Sequence, residues 1–161
     1  MTYIIDDVLT EEEVKEFEKQ INSIRFNRVN AIVQFDEIEF IHPILKHASQ
    51  YFDLTRCCGY EIWQHNKTEG FLPWHHDRDE ILYNMKMIVS HPVCGIVYYP
   101  RIENLKGGEL VFENDEKVYP KRNRMVLFDA TLKHCVEEYT GRRHSVNINP
   151  WNEKYQRNGQ S

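Results

Sequence analysis

"FLPWHHDRD", residues 71–79, sets two histidines and two aspartates within five positions, directly after an apolar run. In an extended strand, residues two apart share a face, so His75 and Asp77 point into one cavity while His76 points the other way. A bulge would shift that pairing to His76 with Asp79. An H-x-D match alone arises easily by chance, so it needs a partner elsewhere in the chain.

The partner lies in "MVLFDATLKHCVEEYTGRRHS", residues 125–145. Here His134 sits on a strand, Gly141 in a turn, and Arg143 and Ser145 on one face of the next strand. His75, Asp77 and His134 together make a two-histidine, one-carboxylate set, which suits Fe(II) and leaves three coordination positions open. A keto-acid co-substrate takes two of them and dioxygen the third. The far carboxylate of such a co-substrate needs a fixed cation, which Arg143 supplies in bidentate form with Ser145 donating alongside. Arginine matches a planar carboxylate better than lysine does. Arg142 takes that place if the turn ends one residue earlier, but the alternation of Val146 and Ile148 against Ser145 and Asn147 favours Arg143.

Around these motifs, seven short segments rich in Val, Ile, Tyr and Phe follow Cys58: "YEIWQ", "FLPWHHD", "CGIVYYP", "GELVFE", "RMVLFDA", "LKHCVEEY" and "RRHSVNIN". They predict an antiparallel sandwich or jelly roll. The first third is helical. "LTEEEVKEFEKQINSI" carries a Thr10/Glu13 capping box and an apolar face of Val14, Phe17, Ile21 and Ile24. "HPILKHASQYF", residues 42–52, reads as a second helix with Pro43 in its first turn and Tyr51 and Phe52 on its apolar side. The expectation is a mostly β domain over residues 1–155 with N-terminal helices packed on one sheet, and a frayed tail at 156–161.

The 161 residues are 41% hydrophobic and 28% charged, with a formal charge of -5, a globular balance without the basic footprint that grips nucleic acid. The opening residues lack the pattern of a secretory signal, and no uninterrupted apolar run reaches about 18 residues. A soluble, cytoplasmic protein without membrane association is expected. Cys57, Cys58, Cys94 and Cys135 show no CxxC spacing and read as reduced thiols.

H-x-D, a distant histidine and R-x-S nine residues after it resemble the 2-oxoglutarate-dependent Fe(II) dioxygenases, and the flanking text resembles their prolyl-4-hydroxylase-like branch. "YIIDDVLTEEE" is similar to that branch's opening strand and helix, "GFLPWHHD" to its approach to the first ligands, and "VYYP…GGELVFE" to its tyrosine strand and Gly-Gly turn. "YPKRNRMVLFDATLKHCV" is similar to the strand leading to the second histidine. The resemblance implies a double-stranded β-helix, Fe(II) on His75, Asp77 and His134, and 2-oxoglutarate anchored by Arg143 with help from Ser145. It also implies a tyrosine reaching the co-substrate, Tyr99 in preference to Tyr98, with Leu110 lining the same pocket. The implied activity hydroxylates a C–H bond with O2 and releases succinate and CO2. A protein or peptide substrate, such as a peptidyl proline, is favoured over a small molecule. An inactive binding module on the same fold is the alternative.

Two stretches depart from the family pattern. Where some members carry a tyrosine before H-x-D, this chain offers Trp63 or Gln64. Residues 78–94, "RDEILYNMKMIVSHPVC", are longer than compact members need and could form a lid or substrate loop. His42 and His47 read as surface or cap residues, His65 as a turn residue, and Trp74 and Trp151 as packing residues.

Overall fold

The computed structural model describes residues 2–24, 31–33 and 39–152. The chain begins with β1 (Thr2–Ile5), α1 (Glu11–Ser23) and β2 (Ala31–Val33), then a 3-10 turn (Glu39–Ile41) leading into α2 (His42–Ala48). The β region follows as β3 (Gly59–His75), α3 (Glu80–Lys86), β4 (Gly95–Gly107) and β5 (Leu110–Phe112). It closes with β6 (Lys117–Val118), β7 (Arg124–Phe128) and β8 (His134–Trp151).

All strand pairs are antiparallel, in the order β1-β7-β4-β8-β3-β2, with β5 pairing both β6 and the start of β8. The long strands belong to two layers at once. β8 pairs β5 through residues 134–136 and β4 from Tyr139 onward. β3 follows β8 along its whole length, with register breaks between Lys67 and Glu69 and between Gly70 and Leu72. Such bulges let a strand bend sharply without ending. The sheet therefore curls over on itself as a jelly roll.

This corrects the segment reading in two places. "YEIWQ" and "FLPWHHD" form one strand, and so do "LKHCVEEY" and "RRHSVNIN". Gly141 is a bend inside β8 rather than a turn between strands. Its φ of 95° and the Asn104 carbonyl lying where a side chain would go leave room only for glycine.

α1 starts as its sequence dictates. The Thr10 hydroxyl accepts from the Glu13 amide at 3.2 Å, and the Glu13 carboxylate accepts from the Thr10 amide at 3.0 Å. α2 is shorter than its apolar pattern suggests. The amides of Tyr51 and Phe52 both turn back to the Ala48 carbonyl, at 3.0 Å each, which closes the helix early. Tyr51 is left partly in solvent, stacked at 4.5 Å on Tyr3.

Two apolar clusters lie on opposite faces of the larger layer. Phe17 and Ile21 of α1 and Ile44 of α2 pack on Ile62, Ile96, Tyr98, Leu127 and Ile148, so the helices cover one face, as expected. Each such side chain contributes about 1.5–3 kcal/mol of transfer free energy. The second cluster, between the layers, holds Val97, Tyr99, Leu110, Phe112, Val126, Phe128 and Val136. Trp151 is buried, as expected of a packing residue. Trp74 is not: it is 54% exposed, because it alternates outward from His75. Among the described residues no helix is long and apolar enough to cross a membrane. The expected tail at 156–161 lies outside the described residues.

Candidate metal and co-substrate site

His75 ends β3 and His134 begins β8, and the two are direct partners across the ladder. Asp77 follows two residues after His75. Ligand-capable atoms of all three lie within 4.8 Å of one another. Asp77 Oδ1 stands 3.9 Å from His75 Nε2 and 3.8 Å from His134 Nε2, beyond direct hydrogen bonding. Each ring is held from behind: His75 Nδ1 is 2.7 Å from the Pro73 carbonyl and His134 Nδ1 is 3.1 Å from the Leu132 carbonyl. A carbonyl can only accept, so both Nδ1 atoms carry the proton and both Nε2 lone pairs face Asp77.

Asp77 and His134 are buried, and Asp77 Oδ2 has no hydrogen-bond partner. Three electron-rich groups converging in a dry site repel one another unless a cation sits among them. The donor set fits a divalent ion of the imidazole and carboxylate type, with the backbone carbonyls fixing the rings. Burial also pulls the His134 pKa down, partly opposed by Asp77, which favours the neutral imidazole that metal binding requires.

The competing residues are engaged elsewhere. His76 faces away and meets His91 edge to face with ring centroids 5.5 Å apart, and Asp79 caps α3 by accepting from the Leu82 amide at 3.0 Å. Cys135 alternates away from His134, and burial raises its thiol pKa. Arg142 donates to Asn66 Oδ1 at the surface, at 2.9 Å.

Arg143 lies inside the roll, 2% exposed. Its Nε donates to the Gly108 carbonyl at 3.0 Å and its Nη1 to Ser145 Oγ at 3.1 Å, while Nη2 lies 3.4 Å from Tyr99 Oη. The guanidinium sits 5.3 Å from the Tyr99 ring centroid and 5.6 Å from that of Tyr139. Gly108, with φ of 80°, lies directly under it, and a side chain there would press on the Arg143 stem at 3.1 Å. Among the described residues no carboxylate pairs with Arg143. A buried guanidinium without an anion is costly to maintain, and an incoming carboxylate would offset that cost.

The alternation of β4 separates the two tyrosines. Tyr98 faces the helices and donates to Asn123 Oδ1 at 3.0 Å, whereas Tyr99 faces Arg143. Burial raises the pKa of Tyr99, with Arg143 acting against it, so the phenol stays protonated at neutral pH.

A cavity of about 260 Å³ joins Arg143 and Ser145 to His75 and His134, walled by Trp63, Leu72, Val97, Leu110 and Val136. Trp63 therefore faces the site. Gln64 faces α1, donating to the Ile21 carbonyl at 3.3 Å and lying 2.7 Å from His144 Nε2. His65 also lines the cavity, a placement that the turn-like text "QHNKTEG" concealed. Its parity with Trp63, opposite to buried Ile62, was the available signal. A larger hollow of about 650 Å³ beside α2 shares no residue with this site.

The stretch 78–94 is partly ordered as α3. Arg78 lies 3.7 Å over the Tyr83 ring and pairs with Glu80 at 2.9 Å. Met85, Met87, Ile88 and Val89 that follow are exposed, as are Phe71 and Trp74 just before the ligands.

The sequence profile of the 2OG-Fe(II) oxygenase superfamily matches residues 60–151, and the chain belongs to that superfamily, whose enzymes use Fe(II), 2-oxoglutarate and O2. Comparison with curated proteins finds no match. Solved structures share the fold. The viral collagen prolyl hydroxylase of Paramecium Bursaria Chlorella virus-1, in complex with 2OG, superposes with a TM-score of 0.65 at 17% identity, over 95% of this chain and 96% of that one. A Pseudomonas putida prolyl-4-hydroxylase gives 0.66 at 14% identity, over 95% and 88%. A Trichoplax adhaerens prolyl hydroxylase, in complex with a hypoxia inducible factor oxygen degradation domain peptide fragment, gives 0.62 at 17% identity, over 99% and 87%.

Proposed function

We propose that residues 1–155 form one catalytic domain, an Fe(II)- and 2-oxoglutarate-dependent hydroxylase acting on a protein or peptide, with a peptidyl proline as the favoured target. His75, Asp77 and His134 would hold the iron, and Arg143, Ser145 and Tyr99 the far carboxylate of 2-oxoglutarate. Bound there, ferrous iron would supply the O2 chemistry by which oxidative decarboxylation of 2-oxoglutarate to succinate and CO2 is coupled to insertion of one oxygen into a substrate C–H bond.

The chain's own part is positional. The carbonyls of Pro73 and Leu132 keep both Nε2 atoms free for coordination. Arg143 neutralises and orients the carboxylate, and Tyr99 supplies a hydroxyl beside it. Leu72, Val97, Leu110 and Val136 keep the intervening space apolar and exclude water. The observation that carries the reading is that both imidazole lone pairs converge on Asp77 Oδ1, whose companion Oδ2 is orphaned, while the two rings line the same cavity as a buried guanidinium that no carboxylate pairs among the described residues.

The peptide preference rests on the exposed apolar rim. Phe71, Trp74, Met85, Met87, Ile88 and Val89 flank the metal-ligand segment, a surface that suits a polypeptide better than a small charged metabolite. The Chlorella virus and Trichoplax proteins, which are prolyl hydroxylases of the same fold, point the same way. Free thiols at Cys57, Cys58, Cys94 and Cys135 support a reducing, cytoplasmic setting.

The test is anaerobic addition of Fe(II) and 2-oxoglutarate, watched for a weak visible charge-transfer band, followed by O2 and a succinate assay. Proline-containing peptides are then screened for a mass gain of one oxygen. Neither band nor succinate would favour a binding module. Succinate without a modified peptide would redirect the search to other substrates.

A further inference from the structure

The three candidate metal ligands are not anchored alike. His75 and His134 stand on the ladder as partners of each other, and His134 is also paired with Phe112 of β5. Asp77 lies two residues past the end of β3 and, among the described residues, pairs with no strand. Its backbone carbonyl is met instead by His91, 14 residues further along the chain, whose Nδ1 lies 2.7 Å away. A carbonyl can only accept, so this Nδ1 carries the proton and donates. His91 reaches out from a fixed base. The Ser90 carbonyl before it accepts from the Asp79 amide at 3.0 Å, and the Val93 amide after it donates to the Pro150 carbonyl at 2.8 Å. The edge-to-face contact with His76 supports the ring itself.

Resting on the iron-site reading above, we infer that His91 is a positioning residue for the metal-binding carboxylate. Its hydrogen bond pins the Asp77 peptide where no ladder bond does, and so fixes the point from which the carboxylate reaches towards the two Nε2 atoms. The carboxylate supplies little restraint of its own. Oδ2 is buried without a hydrogen-bond partner, and Oδ1 stands 3.9 and 3.8 Å from the imidazoles, too far to bond. Until an ion arrives, the place of this side chain depends on its backbone. An ion that meets a backbone already held loses less entropy in ordering its third ligand, so the contact raises metal affinity without touching the metal. Segment 78–94 thereby serves the metal site through one side chain that is not a ligand.

The test titrates Mn(II) calorimetrically into the metal-free full chain as wild type, His91→Phe and His91→Asn, with urea unfolding of the metal-free proteins measured alongside. His91 is only half-buried, so neither substitution opens the core. His91→Phe weakens Mn(II) by about tenfold. His91→Asn, whose amide N–H takes the place of the Nδ1 donor, recovers most of that loss, whatever either change does to the unfolding midpoint. Wild-type Mn(II) affinity in His91→Phe overturns the assignment, and so does equal weakening in both variants, which would show a packing role. If wild type itself takes up no Mn(II), the iron-site reading fails and the assignment falls with it.

Discussion

The two faces of the larger layer are made by the same strands yet do opposite work. On β4, Ile96 and Tyr98 meet the helices, while Val97 and Tyr99 look into the roll. On β8, Val146 and Ile148 join the helix-side cluster, while Arg143 and Ser145 line the cavity. β3 continues the split with Ile62 and Gln64 against Trp63 and His65. The helix face is a conventional apolar core. The inner face holds a buried cation that no carboxylate pairs among the described residues, with an imidazole and a tyrosine hydroxyl beside it. Stability and chemistry are thus interleaved residue by residue, and a step of one along the strand passes from one to the other.

The comparison breaks most visibly at the triad. His134→Ala on the inner side should abolish metal binding, and turnover with it, in an anaerobic metal titration, since only two ligands remain. Arg143→Ala should leave that metal titration intact and weaken 2-oxoglutarate on the order of 100-fold, by loss of the charged anchor. On the helix side, Ile148→Ala should cost about 2–5 kcal/mol in urea unfolding, with 2-oxoglutarate affinity of the folded protein unchanged. Loss of co-substrate binding in that variant would show that the faces are not separable.

A pH series sharpens the contrast, because each face carries a histidine pulled down to about 4. Burial, the largest cause for both, pulls His65 on the inner face and His144 on the helix side from about 6.5 down to about 4. The unfolded chain binds these protons more readily than the fold does. Stability is therefore full above about pH 6.5 and falls as pH drops towards 4, each ring contributing on the order of 3 kcal/mol. Urea unfolding at pH 7.5 and pH 5 should show the slope, and His144→Met should remove its own share of it. The smallest effects come from the paired tyrosines. Tyr98→Phe should cost about 1 kcal/mol of stability and leave 2-oxoglutarate affinity alone, whereas Tyr99→Phe should weaken 2-oxoglutarate severalfold and barely alter the unfolding midpoint.

Much of this was legible in the text of the chain. The capping box and apolar spacing gave α1, and the strand-like segments gave an antiparallel roll. The H-x-D, the distant histidine and R-x-S gave three candidate ligands and an anchor that the fold does bring together. The failures have local causes. Bulges and the Gly141 bend allowed strands to continue through residues that look like turns, which joined four segments into β3 and β8 and hid His65. α2 ended early because two amides converged on one carbonyl. Trp74 reads as a packing residue, yet it lies 54% exposed on β3.

The sequence by itself determined which side chains alternate with which, and hence that His75 travels with Asp77 and Arg143 with Ser145. Only the tertiary structure decided that Tyr99 and His65, rather than Tyr98 and Gln64, look inward. Alternation sets relative faces within a strand, but which face is inside depends on register between strands distant in sequence, and a slip of one residue reverses every side chain.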